Sequence, residues 1–281
     1  MTDSKNVLLT ETAALVEEKL GPLIDELVVE RAVFGLFFTG VKLSNGQGGL
    51  AFTPIKEIPE AVCCPSSAKA MPLSGQLASR PIRQYLADLN SPNVLKKALA
   101  IAVLNALSAT HWRSGANLGY EILVGRDAFD EAAIPKNGLT VVIGALIPML
   151  KRLISEGADF KVLERDPRAL KPRELEHFLP ADQAPKVVPQ ADLIVATGVT
   201  ILNDTLPELL SLAKPTAEVI VSGPTASLLP DALFKRGVDA LGGVLATDPD
   251  VLLNLVSEAG SGYHFYGKCA ERVVIKKNKP S

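Results

Sequence analysis

"ADLIVATGVTILNDTLPELL", residues 191–210, decides how the second half of the chain is read. An apolar run ends at Gly198, polar residues follow, and helical spacing then resumes. That is the pattern of a strand, a βα turn and a helix. Pro207 has no N–H and fits only in the first turn of that helix. The cap is therefore expected near Asn203 or Asp204, with residues 198–202 forming a loop longer than a minimal turn needs. Thr197, Gly198, Thr200, Asn203, Asp204 and Thr205 all fall in this stretch. Either they only turn the chain, with Asn203 and Asp204 as caps, or they hold a ligand.

The pattern recurs. "LTVVIG" (139–144) and "AEVIVSG" (217–223) are apolar runs that also end in glycine, and "FKVLER" (160–165) and "ERVVIKK" (271–277) read as further strands. Helical segments lie between them: "ALIPMLKRLISEG" (145–157), "PDALFKRG" (230–237) and "TDPDVLLNLVSEAG" (247–260), the last with Thr247 as its expected N-cap. Apolar strands alternating with helices predict an α/β domain with a mainly parallel sheet covered on both faces. Ligands of such sheets bind outside the carboxyl ends of the strands. Gly144, Thr197, Gly198, Thr200, Asn203, Ser222 and Gly223 are therefore candidate ligand-binding residues. Glycine lets backbone approach closely, and the following helix start favours an anion. One glycine at a βα turn is explained by turn chemistry alone. Three, with hydroxyls beside two of them, point to a site.

Glu164 stands twenty residues after Gly144, where an acid binds the ribose in dinucleotide folds. It joins the candidate set, the alternative being an ion pair with Arg165 or Arg168. "GALIPM" has one glycine where the phosphate fingerprint needs three, and Leu146 and Ile147 would block a pyrophosphate. An NAD site is not expected.

The first half reads as α+β. Residues 7–20 have helical spacing, interrupted by Gly21 and Pro22. "LVVERAVFGLFFTGVKL" (27–43) reads as strand, "SNGQGG" (44–49) as a hairpin turn and "LAFTPI" (50–55) as the returning strand. "RPIRQYLADL" (80–89) is a short helix. "SPNVLKKALAIAVLNALSA" (91–109) is a long one with Ser91 as expected N-cap and Pro92 at its first position. Apolar residues surround this helix, so it should be buried. Asn105 within it needs a hydrogen-bond partner, either neighbouring backbone or an interdomain cleft. Thr39 and Lys42 on the hairpin are further candidates for that cleft. The Gly-rich segment from Gly115 to Gly125 divides the chain into residues 1–117 and 118–281.

Composition excludes several classes. The 281 residues are 47% hydrophobic, enough for a real core. Lys and Arg total 29 against 31 Asp and Glu, so nothing argues for nucleic acid. The acidic N-terminus is a poor signal peptide, and apolar stretches fall far short of the roughly 20 residues that span a bilayer. A soluble, cytoplasmic protein is expected. Cys63 and Cys64 are adjacent and make no disulfide framework, and His111, His177 and His264 lack ligand spacing, so no side-chain metal site is expected. "GYHFYGKC" (262–269) is either a lid or a packed connection to the last strand.

The motifs together carry a resemblance. "VVIGALIPML", "FKVLERDP", "ADLIVATGVTILNDTLPELL" and "VIVSGPTASLLPDALFKRGVDALGGVLATDPDVLL" resemble the C-terminal domain of a family named for heavy-metal chelation. "FTGVKLSNGQGGLAFT" and "ALAIAVLNALSA" resemble its partner module, which is similar to the N-terminal domain of enolase. The resemblance implies an enolase-N-terminal-like α+β module joined to a Rossmann-like domain, with a site in the cleft between them. Enolase activity does not carry over, because its metal site belongs to a barrel this chain does not have. The expected function is binding or processing of a small anionic ligand or a metal-chelate complex in that cleft. An enzyme with a nucleotide-type cofactor, such as a methyltransferase or reductase, and a non-catalytic assembly subunit are the alternatives. Cofactor and catalytic residues stay unassigned, and homo-oligomerisation stays open.

Overall fold

Two sheets organise the chain in the computed structural model, which describes residues 7–58, 69–71, 73–116 and 118–278. The adjacent Cys63 and Cys64 lie outside the described residues. After helix α1 (Val7–Leu20), strands β1 (Val29–Phe34), β2 (Phe38–Leu43) and β3 (Gly48–Phe52) form an antiparallel meander. The β2–β3 hairpin falls where "SNGQGG" placed it. The run 27–43 is two strands, not one. It breaks at Gly35, whose N–H donates to the carbonyl of Phe38 at 2.9 Å. A Cβ on Gly35 would lie 2.2 Å from the carbonyl oxygen of Val256, so the bend is set by a helix more than 200 residues away.

Helix α2 (Val94–Trp112) packs on the meander through another glycine: a Cβ at Gly49 would lie 2.1 Å from the Ala102 carbonyl. Its sides are buried along almost their whole length, as its composition predicted. The cap is Asn93, not Ser91. Asn93 Oδ1 accepts from Leu95 N at 3.1 Å and Lys96 N at 3.0 Å, which leaves Pro92 outside the helix.

The larger sheet is built from β4 (Tyr120–Val124), β5 (Thr140–Ile143), helix α3 (Ile147–Glu156), β6 (Phe160–Glu164), β7 (Phe178–Pro180) and β8 (Leu193–Thr197). Helix α4 (Leu206–Leu212), β9 (Glu218–Ser222), β10 (Ala240–Ala246), helix α5 (Pro249–Ser257) and β11 (Ala270–Lys277) complete it. Its order is β4-β11-β10-β9-β8-β5-β6-β7. Strands β5 to β10 run parallel, and β11 pairs antiparallel with both β10 and β4. The mainly parallel sheet matches the sequence expectation. Strands β4, β7 and β10 are additions. β10, "ALGGVLA", carries two central glycines that hide it, because glycine is depleted in strands. At α5 the cap is Asp248 rather than Thr247: its Oδ1 accepts from Val251 N at 3.1 Å.

Residues 198–202 are not a loop. Val199–Leu202 is a helical turn directly after β8, closed by Thr200 Oγ1 donating to the Thr197 carbonyl at 2.7 Å. Asn203 Oδ1 then accepts from Thr205 Oγ1 at 2.7 Å, and Asp204 takes φ +61° before α4 begins, with Pro207 in its first turn.

The two sheets meet at the carboxyl ends of the parallel strands. Phe52 N donates to Thr225 Oγ1 at 3.0 Å, Lys56 pairs with Asp166 at 3.1 Å, and Arg165 pairs with Glu57 at 3.1 Å. Lys97, buried on α2, pairs with Asp204. Among the described residues no helix is long and apolar enough to cross a membrane.

Candidate functional site

The strand-end residues that the sequence singles out are placed first by what their backbone needs. Gly144 has φ +91°, and a Cβ there would lie 2.7 Å from Thr197 Cγ2. Its bareness lets the end of β8 close against the turn after β5. Gly198 donates its N–H to the Ser222 carbonyl at 2.8 Å, which ties the ends of β8 and β9 together. A Cβ at Gly198 would crowd Ala226 N and Thr225 Cβ at 3.2 Å, so this glycine serves the neighbouring turn.

Glu164 is occupied by backbone. Its Oε2 accepts from Ala145 N at 2.9 Å, and its Oε1 from Arg165 N at 2.7 Å and Asp166 N at 3.1 Å. The alternative, an ion pair with Arg165 or Arg168, is not formed: those guanidinium groups meet Glu57 and Asp166 instead. The amide that would greet a phosphate after β5 is therefore already engaged.

Asn105 finds backbone partners, but from distant segments. Its Nδ2 donates to the carbonyls of Leu50 at 2.7 Å and Pro224 at 3.1 Å, stitching β3 to the turn after β9. Its buried Oδ1 has no hydrogen-bond partner among the described residues. Thr39 Oγ1 shares a hydrogen bond with Thr53 Oγ1 at 3.0 Å, and Lys42 pairs with Asp250 at 2.8 Å and Glu30 at 3.2 Å.

Beside this closed junction lies a cavity of about 380 Å³. Its wall includes Ala145 to Pro148 at the start of α3, Ser222 to Pro224 after β9, and Gly242 with Gly243 inside β10. Phe38 comes from the smaller sheet. Of the expected residues, Ser222 and Gly223 line the cavity. Gly144 and Glu164 shape the turn that presents Ala145. Thr197, Gly198, Thr200, Asn203 and Asn105 are not among the lining residues and stand behind it at the junction.

The remaining wall went unread in the sequence. Arg126, Asp127, Phe129 and Arg272 line the cavity, as do Tyr263, Phe265 and Tyr266. Of the two readings of "GYHFYG", lid or connection, the packing bears out the connection. Phe265 is fully buried against Phe38, ring centroids 5.7 Å apart, while Tyr263 stands 88% exposed at the mouth. His264 accepts from Ser261 N at 3.0 Å through Nδ1 and so closes this turn. Arg126 and Asp127 follow Gly125 with no motif around them, and Arg272 lies in the segment read only as the last strand.

The electrostatics of this wall are coupled. Arg272 Nε pairs with Asp127 Oδ2 at 3.0 Å, and its guanidinium lies 3.9 Å over the Tyr266 ring, within cation–π range. Burial pushes the Tyr266 hydroxyl up to about 12, against the opposite pull of Arg272, so the phenol stays neutral at neutral pH. Arg126 Nε donates to Glu131 at 3.0 Å, and this bond holds the Glu131 carboxyl below its ordinary range. Asp127 also caps the next turn by accepting from Phe129 N at 2.9 Å.

A bare heavy-metal ion does not fit this donor set. The lining carboxylate, Asp127, is engaged by a guanidinium and an amide, and two guanidinium groups repel a cation. Among the described residues, no group of three or more His, Cys, Asp or Glu side chains could hold one.

Comparison with known proteins places this architecture. Residues 127–275 match the model of a family described as "putative heavy-metal chelation", and residues 17–108 match a second model with the same description. An uncharacterized protein of Methanocaldococcus jannaschii is 28% identical over 191 residues, which cover 67% of this chain and 70% of that one. A crystal structure from Pyrococcus horikoshii, of a protein with unknown function, superposes with a TM-score of 0.75 at 21% identity, covering 96% of this chain and 100% of that chain. Another, from Desulfitobacterium hafniense, gives 0.73 at 21% identity, covering 95% and 100%. These two likenesses show the fold, and both structures come from the family that matches residues 127–275. With that match spanning more than half of its length, the chain belongs to the family described as "putative heavy-metal chelation".

Proposed function

We propose that the protein binds a small anionic organic ligand, or a metal held by such a ligand, in the cavity beside the junction of its two sheets. One observation carries this reading: a cavity of about 380 Å³ with carbon-rich walls has Arg126 and Arg272 among its lining residues. That volume lies in the range of small-molecule sites. The metal of the family description then travels as cargo, coordinated by the ligand's own donors. The expected site residues divide accordingly. Ser222 and Gly223 touch the ligand, whereas Gly144, Glu164, Thr197, Gly198, Thr200, Asn203 and Asn105 hold the strand ends in place around it. The same proposal reads residues 118–281 as a Rossmann-like domain, supported by a strand order that reverses between β5 and β8. It reads residues 1–117 as an enolase-N-terminal-like module, on the antiparallel meander and α2.

The test is a native mass spectrum of the purified protein, with nickel chloride dialysis beside it. The reading expects a retained organic molecule, with or without metal, and no stoichiometric retention of nickel from nickel chloride alone. Tight one-to-one retention of nickel by ligand-free protein would overturn it.

A further inference from the structure

The cavity gathers aromatic rings out of proportion to the chain. The protein has nine Phe, four Tyr and one Trp in 281 residues. Three of those Phe and two of those Tyr line this one cavity: Phe38, Phe129, Phe265, Tyr263 and Tyr266. Three of them touch in series. Phe38 meets Phe265 edge-on at 5.7 Å, and Phe265 meets Tyr266 at 4.8 Å and 60°. Arg272 continues the series, its guanidinium carbon lying over the Tyr266 ring 3.9 Å from the centroid. Asp127 takes Arg272 Nε, so the forked Nη groups are the ones an acid in the cavity would meet. A guanidinium fork matches a planar carboxylate or a sulfonate in two-point contact. Ring faces and edges beside it suit a flat, carbon-rich body, since aromatic pairs favour offset or edge contacts at 4.5–7 Å.

We infer that the cavity takes an aromatic monoanion, a ring system carrying one acidic group, with the rings against the partly exposed Phe38 and Tyr266 and the acid on Arg272. This inference rests on the cavity reading above and narrows it to a ligand class. Tyr263, almost wholly exposed at the mouth, is placed to cover the outer ring face.

Two dyes test it. 8-Anilinonaphthalene-1-sulfonate is an aromatic monoanion, and N-phenyl-1-naphthylamine has the same rings without the sulfonate. Fluorescence titration of the wild type is expected to show one site for the sulfonate dye, with the neutral dye binding more weakly. Arg272→Met keeps a long apolar chain near Tyr266 and removes the charge. It should weaken the sulfonate dye roughly tenfold or more, the scale of one charge-assisted hydrogen bond, and leave the neutral dye unchanged. Ala145→Phe fills the cavity wall and should abolish both signals. Near-UV circular dichroism and the melting temperature of each variant show that it is folded, so dye binding by a loosened core is recognised. Equal binding of the two dyes, with no effect of Arg272→Met, overturns the anion preference while the cavity stands. Wild-type protein that binds neither dye, or Ala145→Phe protein that still binds them, overturns the ring-lined site, and the first of these also removes the support for the cavity reading.

Discussion

At the scale of single residues, this structure spends its polar groups on backbone. Asn105 shows the consequence. Its amide serves carbonyls of two segments that come from different sheets, so Asn105→Ala leaves buried acceptors without a donor. A loss of about 1–3 kcal/mol is expected in urea denaturation. Because Asn105 does not line the cavity, dye affinity per folded molecule should be unchanged. An unaltered midpoint would mean that these bonds contribute nothing. His111 gives a residue-scale pH dependence. It is buried near the end of α2, its Nε2 has no hydrogen-bond partner among the described residues, and burial lowers its pKa from 6.5, with Lys19 assisting and Asp231 opposing. The folded state therefore prefers the neutral ring, and the unfolded chain takes up the proton first as pH falls. Stability from this group is complete above the ordinary value of 6.5 and is lost as pH drops through and below it. Denaturant midpoints measured from pH 8 to pH 5 should fall toward the acid end, and His111→Phe should flatten the slope between pH 6.5 and 5.5. An identical slope in the variant would assign it to other groups.

At the scale of elements, the helix ends show how far local signals reach. Both α2 and α5 were expected to begin one or two residues too early. Each start offers two capping residues within three positions, Ser91 with Asn93 and Thr247 with Asp248, and propensity barely separates them. At α2 tertiary bonds choose: Asn93 Nδ2 also donates to the carbonyls of Lys69 at 3.1 Å and Ala70 at 3.0 Å. At α5 the Cys269 carbonyl accepts from both Thr247 N at 2.9 Å and Asp248 N at 3.1 Å, and it is the Asp248 side chain that reaches Val251 N. Asp248→Ala should therefore cost about 1 kcal/mol in thermal unfolding, and Thr247→Ala markedly less. The reverse ranking would restore Thr247 as the cap. The element-scale error at 27–43 has the same origin. Apolar and aromatic residues continue on both sides of Gly35, and the close approach of α5, which leaves no room for a Cβ there, is not visible in that local pattern.

At the scale of the whole molecule, the halves are joined by buried and charged contacts across the strand ends, Lys97 with Asp204 and Phe52 with Thr225 among them. Heat should unfold them together, giving one calorimetric transition whose van't Hoff enthalpy equals the measured one. Two resolved transitions would show independent halves. The strand order also raises the dinucleotide question again, and Ala145 N, the amide after Gly144, is bonded to Glu164. Isothermal calorimetry with NAD should give no micromolar binding. A measured micromolar affinity would free Glu164 for a ribose and displace the present reading.

The sequence alone determined the alternation of apolar strands and helices, the mainly parallel sheet, the buried helix around Asn105 and the glycines at three strand ends. These features are written in windows of ten to twenty residues, where periodicity and turn chemistry act. The cavity was legible only at Ser222 and Gly223. Its other walls come from positions 38, 126–129, 145–148, 224, 242–243, 261–263, 265–266 and 272–273, which no local pattern relates. Packing alone brings them together. A cavity is the space left where elements cannot approach further, and that distance is set by side chains on both partners. The same packing turned the polar stretch after residue 197 inward, toward Thr225 and Lys97, and left the ring-lined space on the neighbouring side of β9.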